Sequence, residues 1–316
     1  MAHRRYRIPK QPHGSQEWLN QRYQDENGNR RISASAAAAI YGEHPFVPAD
    51  RYAAELLSGV APVPTEPTWA MQRGNYLEPA VMQMASDRLN IPFDTPEELF
   101  CYDTDTGARL ISTLDGWHEP TRHILEIKTT TRDWNGELPF YWRIQGLQQA
   151  ICADADRVTW AVFDPSMQLH LYEQTITPEE MSDHISACER WLNAIELGMD
   201  PPGITYSYET VSTKYAIVNA DKVDLDDKAA DLVERLRHVK SEVASYKALE
   251  DQLKAELCEL IGHADTAVYN GTVLATWKPQ NRRFFDTKRF QLENPETAEQ
   301  YMKTSAIRTL RLKGEK

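Results

Sequence analysis

The chain has 316 residues, with 35 Lys and Arg against 47 Asp and Glu, a formal charge of −12. An apolar fraction of 41% and a charged fraction of 26% exclude a disordered or collagen-like chain, and the length allows roughly two domains. No apolar run approaches the ~18 residues of a membrane span. The first residues carry charge but no apolar stretch of a secretory signal, and the four dispersed cysteines form no C-x-x-C pair. The expectation is a reduced, cytoplasmic protein without membrane association, disulfide framework or zinc ribbon. The acidic total hides basic ends: residues 1–31 hold seven basic against three acidic residues, and 278–316 hold ten against five. Such ends suit a polyanion or a plain solvated surface equally.

In chain order, Ser15-Gln16-Glu17-Trp18-Leu19 opens a short helix with Ser as its cap. Residues 33–40 read as a second capped helix, stopped by Gly42. Gly74 to Leu89 repeats apolar residues at helical spacing. Two strand-like runs follow, 108–113 and 123–129, with Asp115-Gly116 turning the chain between them. Residues 141–152 read as helix, and 157–164 with 168–174 as a strand pair around Asp164-Pro165. Thr177-Pro178-Glu179-Glu180 then opens a long helix, with a cap, Pro at the first helical position and Glu three residues after the Thr. It stops at Gly198, and Pro201-Pro202-Gly203 marks a boundary that divides the chain into 1–205 and 206–316.

The second part has another character. Leu225, Leu232, Val239, Tyr246, Leu253 and Leu260 recur every seven residues, with Ala229, Leu236, Val243 and Leu257 in the companion positions and Glu250 interrupting them. An intramolecular helical hairpin and an intersubunit coiled coil account for this pattern equally. Residues 266–278 then read as a β-hairpin around Asn270-Gly271.

The chemistry concentrates in Asp115, followed eleven residues later by Glu126-Ile127-Lys128. On a strand, Glu126 and Lys128 project from one face, and a turn at Asp115 brings a second carboxylate beside Glu126. Adjacent carboxylates are unfavourable unless a cation neutralises them, and Mg²⁺ prefers a few carboxylate oxygens together with waters and substrate phosphate. A lysine beside such a site holds or deprotonates a water, so the parts fit metal-assisted phosphodiester hydrolysis. Exposed strands often alternate Glu and Lys, so this trio alone is not specific. Glu78 reads either as a further site carboxylate or as a helix-surface residue. Trp18, Leu77 and Trp142 read as core, and His118 and His123 as ordinary residues that a hard-cation site does not need.

The neighbouring segments add specificity. Trp18-x-x-x-Arg22, Ile32-Ser33-Ala34-Ser35, Arg73-Gly74-x-x-x-Glu78, Thr113-Leu114-Asp115-Gly116, and Leu125-Glu126-Ile127-Lys128 with Tyr141-Trp142-Arg143-Ile144-Gln145 behind it occur in this order. Over residues 15–200 the chain resembles the PD-(D/E)xK nuclease core, and more closely the YqaJ viral recombinase family that includes phage lambda exonuclease. The resemblance implies an α/β fold, a restriction-endonuclease-like core with a central mixed sheet flanked by helices; it does not account for residues 206–316, where the heptad and hairpin patterns give a C-terminal helical and β-hairpin extension. It implies a Mg²⁺-dependent enzyme, with Mn²⁺ able to substitute, that degrades the 5′-ended strand of double-stranded DNA and leaves a 3′ overhang for phage-type recombination.

By the same resemblance Asp115, Glu126 and the Ile127 main-chain carbonyl bind the metal, Glu78 completes the site, often through water, and Lys128 is the catalytic lysine. Gln145 matches the helix glutamine. The family frequently reads Q-x-Q here, against Arg143-Ile144-Gln145, which leaves its register open. Arg22, Ser35 and Thr113 match the groups that hold the 5′-phosphate of the recessed strand. The implied partners are duplex DNA ends, further copies in a ring-shaped homotrimer, and a single-strand annealing protein of a phage or prophage in the host cytoplasm. The scattered cysteines argue against the iron–sulfur cluster of some wider relatives. A repair or restriction-type endonuclease is the alternative within the fold, and a non-catalytic DNA-end scaffold the alternative outside it. In the extension, Arg282-Arg283, Lys288-Arg289 and Arg308-x-x-Arg311-x-Lys313 suit DNA backbone contacts or a solvated surface equally.

Overall fold

The computed structural model describes residues 2–131, 134, 136–155, 157–215, 222–281, 283–302 and 308–313. The chain divides into two compact units, Met1–Lys214 and Tyr215–Lys316.

The first unit is mixed α/β. It runs β1 (His3–Pro9), α1 (Gln16–Tyr23), β2 (Ile32–Ser33), a 3₁₀ helix (Ala34–Tyr41), α2 (Ala49–Ser58), α3 (Trp69–Leu89), β3 (Glu98–Thr104), β4 (Arg109–Ser112), β5 (Gly116–His118), β6 (His123–Thr129), α4 (Phe140–Ala153), β7 (Arg157–Phe163), β8 (Leu169–Thr175), α5 (Pro178–Glu196) and α6 (Tyr208–Lys214). The strands form two four-stranded sheets, ordered β1-β3-β4-β2 and β5-β6-β7-β8. In the second sheet β6 and β7 are parallel, joined through α4, while the outer pairs are antiparallel. A parallel pair needs such a crossover, which is why α4 covers one face of this sheet.

The alternation of β6 divides its side chains between two layers. Ile124 joins the core that contains Leu147 and Ile151 of α4, whereas Leu125 and Ile127 pack with Val81 and Ala85 of α3. Trp134, Trp142 and Trp160 form a stack on the α4 side, with ring centroids 5.4 and 5.7 Å apart. Caps act where the sequence puts them: Ser15 accepts from the Trp18 N–H, and Thr177 and Glu180 form a full capping box. The first unit also takes in α6, anchored where the Ser207 N–H donates to the Asp50 carboxylate at 2.8 Å.

Two local expectations are corrected. Residues 34–41 wind as a 3₁₀ helix, and the Ser33 hydroxyl does not cap it, because that oxygen accepts from the Arg22 guanidinium. Asp115-Gly116 is no turn between two strands. Gly116 starts β5, pairs with Leu125, and the chain reverses only at residues 119–122. The period-2 pattern of so short a strand is invisible, so the DG pair reads as a turn.

In the second unit α7 (Asp227–Ile261) is one continuous helix, so the heptads do not fold into a hairpin, and none of its residues is buried. Glu250 is accommodated by an ion pair with Lys254, one turn on. The expected hairpin is present as β9 (Thr266–Tyr269) and β10 (Thr272–Thr276), with Asn270 and Gly271 both at positive φ. Two short helices, α8 (Thr287–Glu293) and α9 (Pro295–Tyr301), follow. Among the described residues no helix is long and apolar enough to cross a membrane.

Candidate functional site

The site is built on the end of β6. Glu126 is only 2% exposed, and its carboxylate is saturated with donors. Oε1 accepts from Lys128 Nζ at 2.6 Å and from Gln145 Nε2, and Oε2 accepts from Gln149 Nε2 at 2.6 Å. Gln145 and Gln149 are one turn apart on α4 and so face the same carboxylate. Gln149 also donates to the Thr113 carbonyl at 3.0 Å, tying Glu126 to the chain that leaves β4. Lys128 lies over the Trp160 ring, 5.8 Å from its centroid.

Asp115 stands immediately ahead of β5, and the pairing of Gly116 with Leu125 carries it opposite Glu126. Gly116 makes that approach possible: a Cβ there would lie 3.0 Å from Leu125 Cβ and 3.2 Å from Phe93 Cβ. The Ile127 N–H donates to Asp115 Oδ2 at 2.8 Å. In an extended strand the N–H and C=O of one residue point to the same side, so the Ile127 carbonyl faces the Asp115 edge as well.

Burial, then the charge of Glu126, raises the Asp115 carboxyl well above its ordinary range. The same two causes raise Glu78. Burial works against the Lys128 ammonium, but the charges of Glu126 and Asp115 outweigh it and raise its pKa, so Lys128 stays protonated at neutral pH. Two crowded, desolvated carboxylates with a main-chain carbonyl at the same edge fit a hard divalent cation. Among the described residues no three His, Cys, Asp or Glu side chains gather to hold an ion; Glu78 lines the same cleft, and its charge acts on Asp115.

The other end of the same cleft is cationic and hydroxylic. Trp18 and Arg22 are one turn apart on α1, and the guanidinium lies over the indole, 4.4 Å from its ring centre. Arg22 donates to the hydroxyls of Ser33, at 3.2 Å, and Ser35. The cleft has a volume of about 490 Å³, and Arg22, Ser35, Glu78, Thr113, Asp115, Glu126, Lys128 and Gln145 all line it.

Eight expected side chains from Arg22 to Gln145 thus meet in one place, and Ile127 backs them through its main chain. Of the two positions in question, Gln145 lines the cleft, while Arg143 turns outward toward Glu180 at 3.8 Å. Trp18 and Trp142 are buried and Leu77 packs against the α3 core. His118 and His123 do not line the cleft; each ring is hydrogen-bonded to a threonine hydroxyl. Sequence reasoning missed Lys10 and His13 in the lining and the buried Gln149. The i, i+4 pair Gln145–Gln149 was the available signal for the last. The N-terminal arginines are largely occupied: Arg4 pairs with Asp103, Arg5 with Asp154, and Arg7 with Glu98 and Glu119. In the extension Lys278 pairs with Asp265 and Arg289 with Glu293, while Arg282 lies outside the described residues.

No curated protein matches the chain. An alkaline exonuclease from Laribacter hongkongensis is similar at 20% identity and a TM-score of 0.46, over 58% of this chain and 93% of that one. A phage-related exonuclease from Haemophilus somnus is similar at 14% identity and a TM-score of 0.40, over 57% and 98%. A putative exonuclease from Eubacterium rectale gives 14% and 0.38, over 66% and 96%. The family model of the YqaJ-like viral recombinase domain matches residues 17–156, the segment that contains Arg22, Ser35, Glu78, Thr113, Asp115, Glu126, Lys128 and Gln145. Over residues 17–156, then, the chain is similar to the YqaJ-like viral recombinase domain.

Proposed function

We propose that the chain is a metal-dependent deoxyribonuclease that removes nucleotides from the 5′-ended strand of double-stranded DNA and leaves 3′ single-stranded overhangs for phage-type recombination. The observation that carries this reading is the single cleft, with buried carboxylates and a lysine at one end and Arg22 with hydroxyls at the other. A divalent ion, Mg²⁺ or Mn²⁺, held by Asp115, Glu126 and the Ile127 carbonyl supplies positive charge to a phosphodiester as negative charge builds on it. Glu78 supports that site. Lys128, protonated and fixed by Glu126 and the Trp160 face, orients the attacking water and offsets developing charge. Gln145 keeps Glu126 in register with α4.

The opposite end acts on the substrate. Arg22 offers a planar fork and Ser35 and Thr113 offer hydroxyls, a set suited to a terminal phosphate. A 5′-phosphate seated there draws the strand end forward and places the next phosphodiester over Asp115 and Glu126. The same reading includes a ring of copies around the duplex, a single-strand annealing partner and action in the cytoplasm of a phage host.

Incubation of the protein with Mg²⁺ and matched linear and closed circular duplexes, labelled at either strand end, tests it. Loss of the 5′-ended strand from linear duplex, with the circle left intact, is the expected result. Cutting of the circle indicates an endonuclease, and no cutting of either DNA refutes the enzymatic reading.

A further inference from the structure

One wall of the cleft has no role in the function proposed above. Lys10 follows β1, His13 lies on the loop to α1, and both line the cleft beside Trp18, Arg22 and Ser35. Trp18 gathers this wall. The His13 ring lies 4.5 Å from the indole, tilted by 53°, and the Arg22 guanidinium lies 4.4 Å from a ring of the same side chain. The loop is fixed at both ends: the Lys10 N–H donates to the Glu97 carbonyl at 2.9 Å, and the Ser15 N–H to the Pro12 carbonyl at 3.0 Å.

The cations of this wall have no direct carboxylate partner, although Lys10 is within electrostatic reach of Glu78. Among the described residues neither Lys10, His13 nor Arg22 forms an ion pair with a carboxylate. Partial burial, then Lys10 and Arg22, hold the His13 imidazole below its ordinary pKa, so at neutral pH it is an uncharged donor between two cations. Two cations in one recess repel each other and have lost hydration, an arrangement that an anion of matching charge relieves. A terminal phosphomonoester carries nearly two negative charges at pH 7, whereas an internal phosphodiester carries one.

Resting on the exonuclease reading, we infer that Lys10 and His13 complete, together with Arg22, a site for the dianion of a 5′-terminal phosphate, with Lys10 distinguishing a strand end from an internal phosphate. Arg22 supplies one positive charge and the fork, Lys10 the second charge, and His13 a neutral hydrogen bond on the Trp18 side. An internal phosphate would leave one of the two cations uncompensated, and a 5′-hydroxyl both.

The test measures binding without cleavage. Fluorescence anisotropy at fixed, moderate salt, with chelator in place of metal, compares two duplexes identical except for a 5′-phosphate or a 5′-hydroxyl. The unaltered protein prefers the phosphate. Lys10→Gln lowers that preference by about tenfold or more, the loss expected for one charge-assisted contact. His13→Asn lowers it by a smaller factor, and Lys10→Arg restores most of it. His13 is exposed and Lys10 only partly buried, so unchanged melting temperatures confirm that the variants fold. An unaltered protein that binds both ends equally, or Lys10→Gln and His13→Asn variants that keep the full preference, overturns the inference. A Lys10→Gln variant that loses both duplexes equally also overturns it, by making Lys10 a general backbone contact. Failure of the unaltered protein to cut linear duplex refutes the exonuclease reading separately, since this measurement needs no cleavage.

Discussion

Gln149 offers a prediction whose size follows from the geometry. Its side chain is fully buried, and one amide nitrogen serves both Glu126 Oε2 at 2.6 Å and the Thr113 carbonyl at 3.0 Å. Gln149→Leu leaves a buried carboxylate oxygen and a backbone carbonyl without that donor. The first loss is worth about 1.5–3 kcal/mol and the second about 1 kcal/mol. Part of this is returned, because among the described residues the Gln149 Oε1 atom has no hydrogen-bond partner and leucine removes that orphan. The net destabilisation is about 2–3 kcal/mol. Gln145→Leu is the control: Gln145 donates to the same carboxylate but lines the open cleft, where water replaces it, so its loss is under about 1 kcal/mol. Denaturant titrations in chelator, followed by tryptophan fluorescence, give both values from the midpoint shifts. A Gln149→Leu variant no less stable than Gln145→Leu would refute the argument that Gln149 anchors Glu126.

Four further outcomes are expected. Lys128→Ala retains metal binding in calorimetry and duplex binding in anisotropy, yet cuts about a hundredfold more slowly or worse, since only orientation of water and charge are lost. Ca²⁺ in place of Mg²⁺ supports duplex binding without rapid cleavage, because it tolerates looser geometry than the reaction needs, and gel assays in the two ions decide this. Gly146→Ala destabilises by about 1–3 kcal/mol despite the better helix propensity of alanine, as a Cβ there meets Trp160 Cζ2 and Gln174 Oε1, both at 2.9 Å; a raised melting temperature would contradict this. His184 is buried against Gln148 and Tyr41, and burial lowers its pKa to about 4. It folds uncharged, so its contribution is complete above the unfolded value of ~6.5 and is lost as pH falls from there toward 4, by about 3 kcal/mol in all. His184→Gln should flatten that part of the stability–pH curve.

The site was legible in the sequence where chemistry and spacing coincide. Glu126-x-Lys128 on a strand, and Trp18-x-x-x-Arg22 and Gly74-x-x-x-Glu78 on helices, place their side chains by local periodicity alone. The caps at Ser15 and Thr177 and the Asn270-Gly271 turn are likewise local. Gly116 was misread because its role is tertiary: it brings β5 against Leu125 and Phe93, and only that contact sets Asp115 opposite Glu126. The Ser33 hydroxyl was assigned to a cap that Arg22 took instead. Lys10 and His13 carry no spacing signal, since they join the cleft through a loop packed on Trp18. In α7 the heptads left a helical hairpin and a coiled coil open, because a stripe of which no residue is buried within this chain does not encode what it packs against.

The central claim is that Asp115 and Glu126 hold the ion with which this cleft cuts DNA. Calorimetric titration of Mn²⁺ into the unaltered protein, Asp115→Asn and Glu126→Gln, with parallel digestion of a linear duplex in Mg²⁺, tests it most directly. One binding event is expected in the unaltered protein, lost together with cleavage in both variants, while circular dichroism and melting temperature show an intact fold. Cleavage at the parental rate by either variant would contradict it.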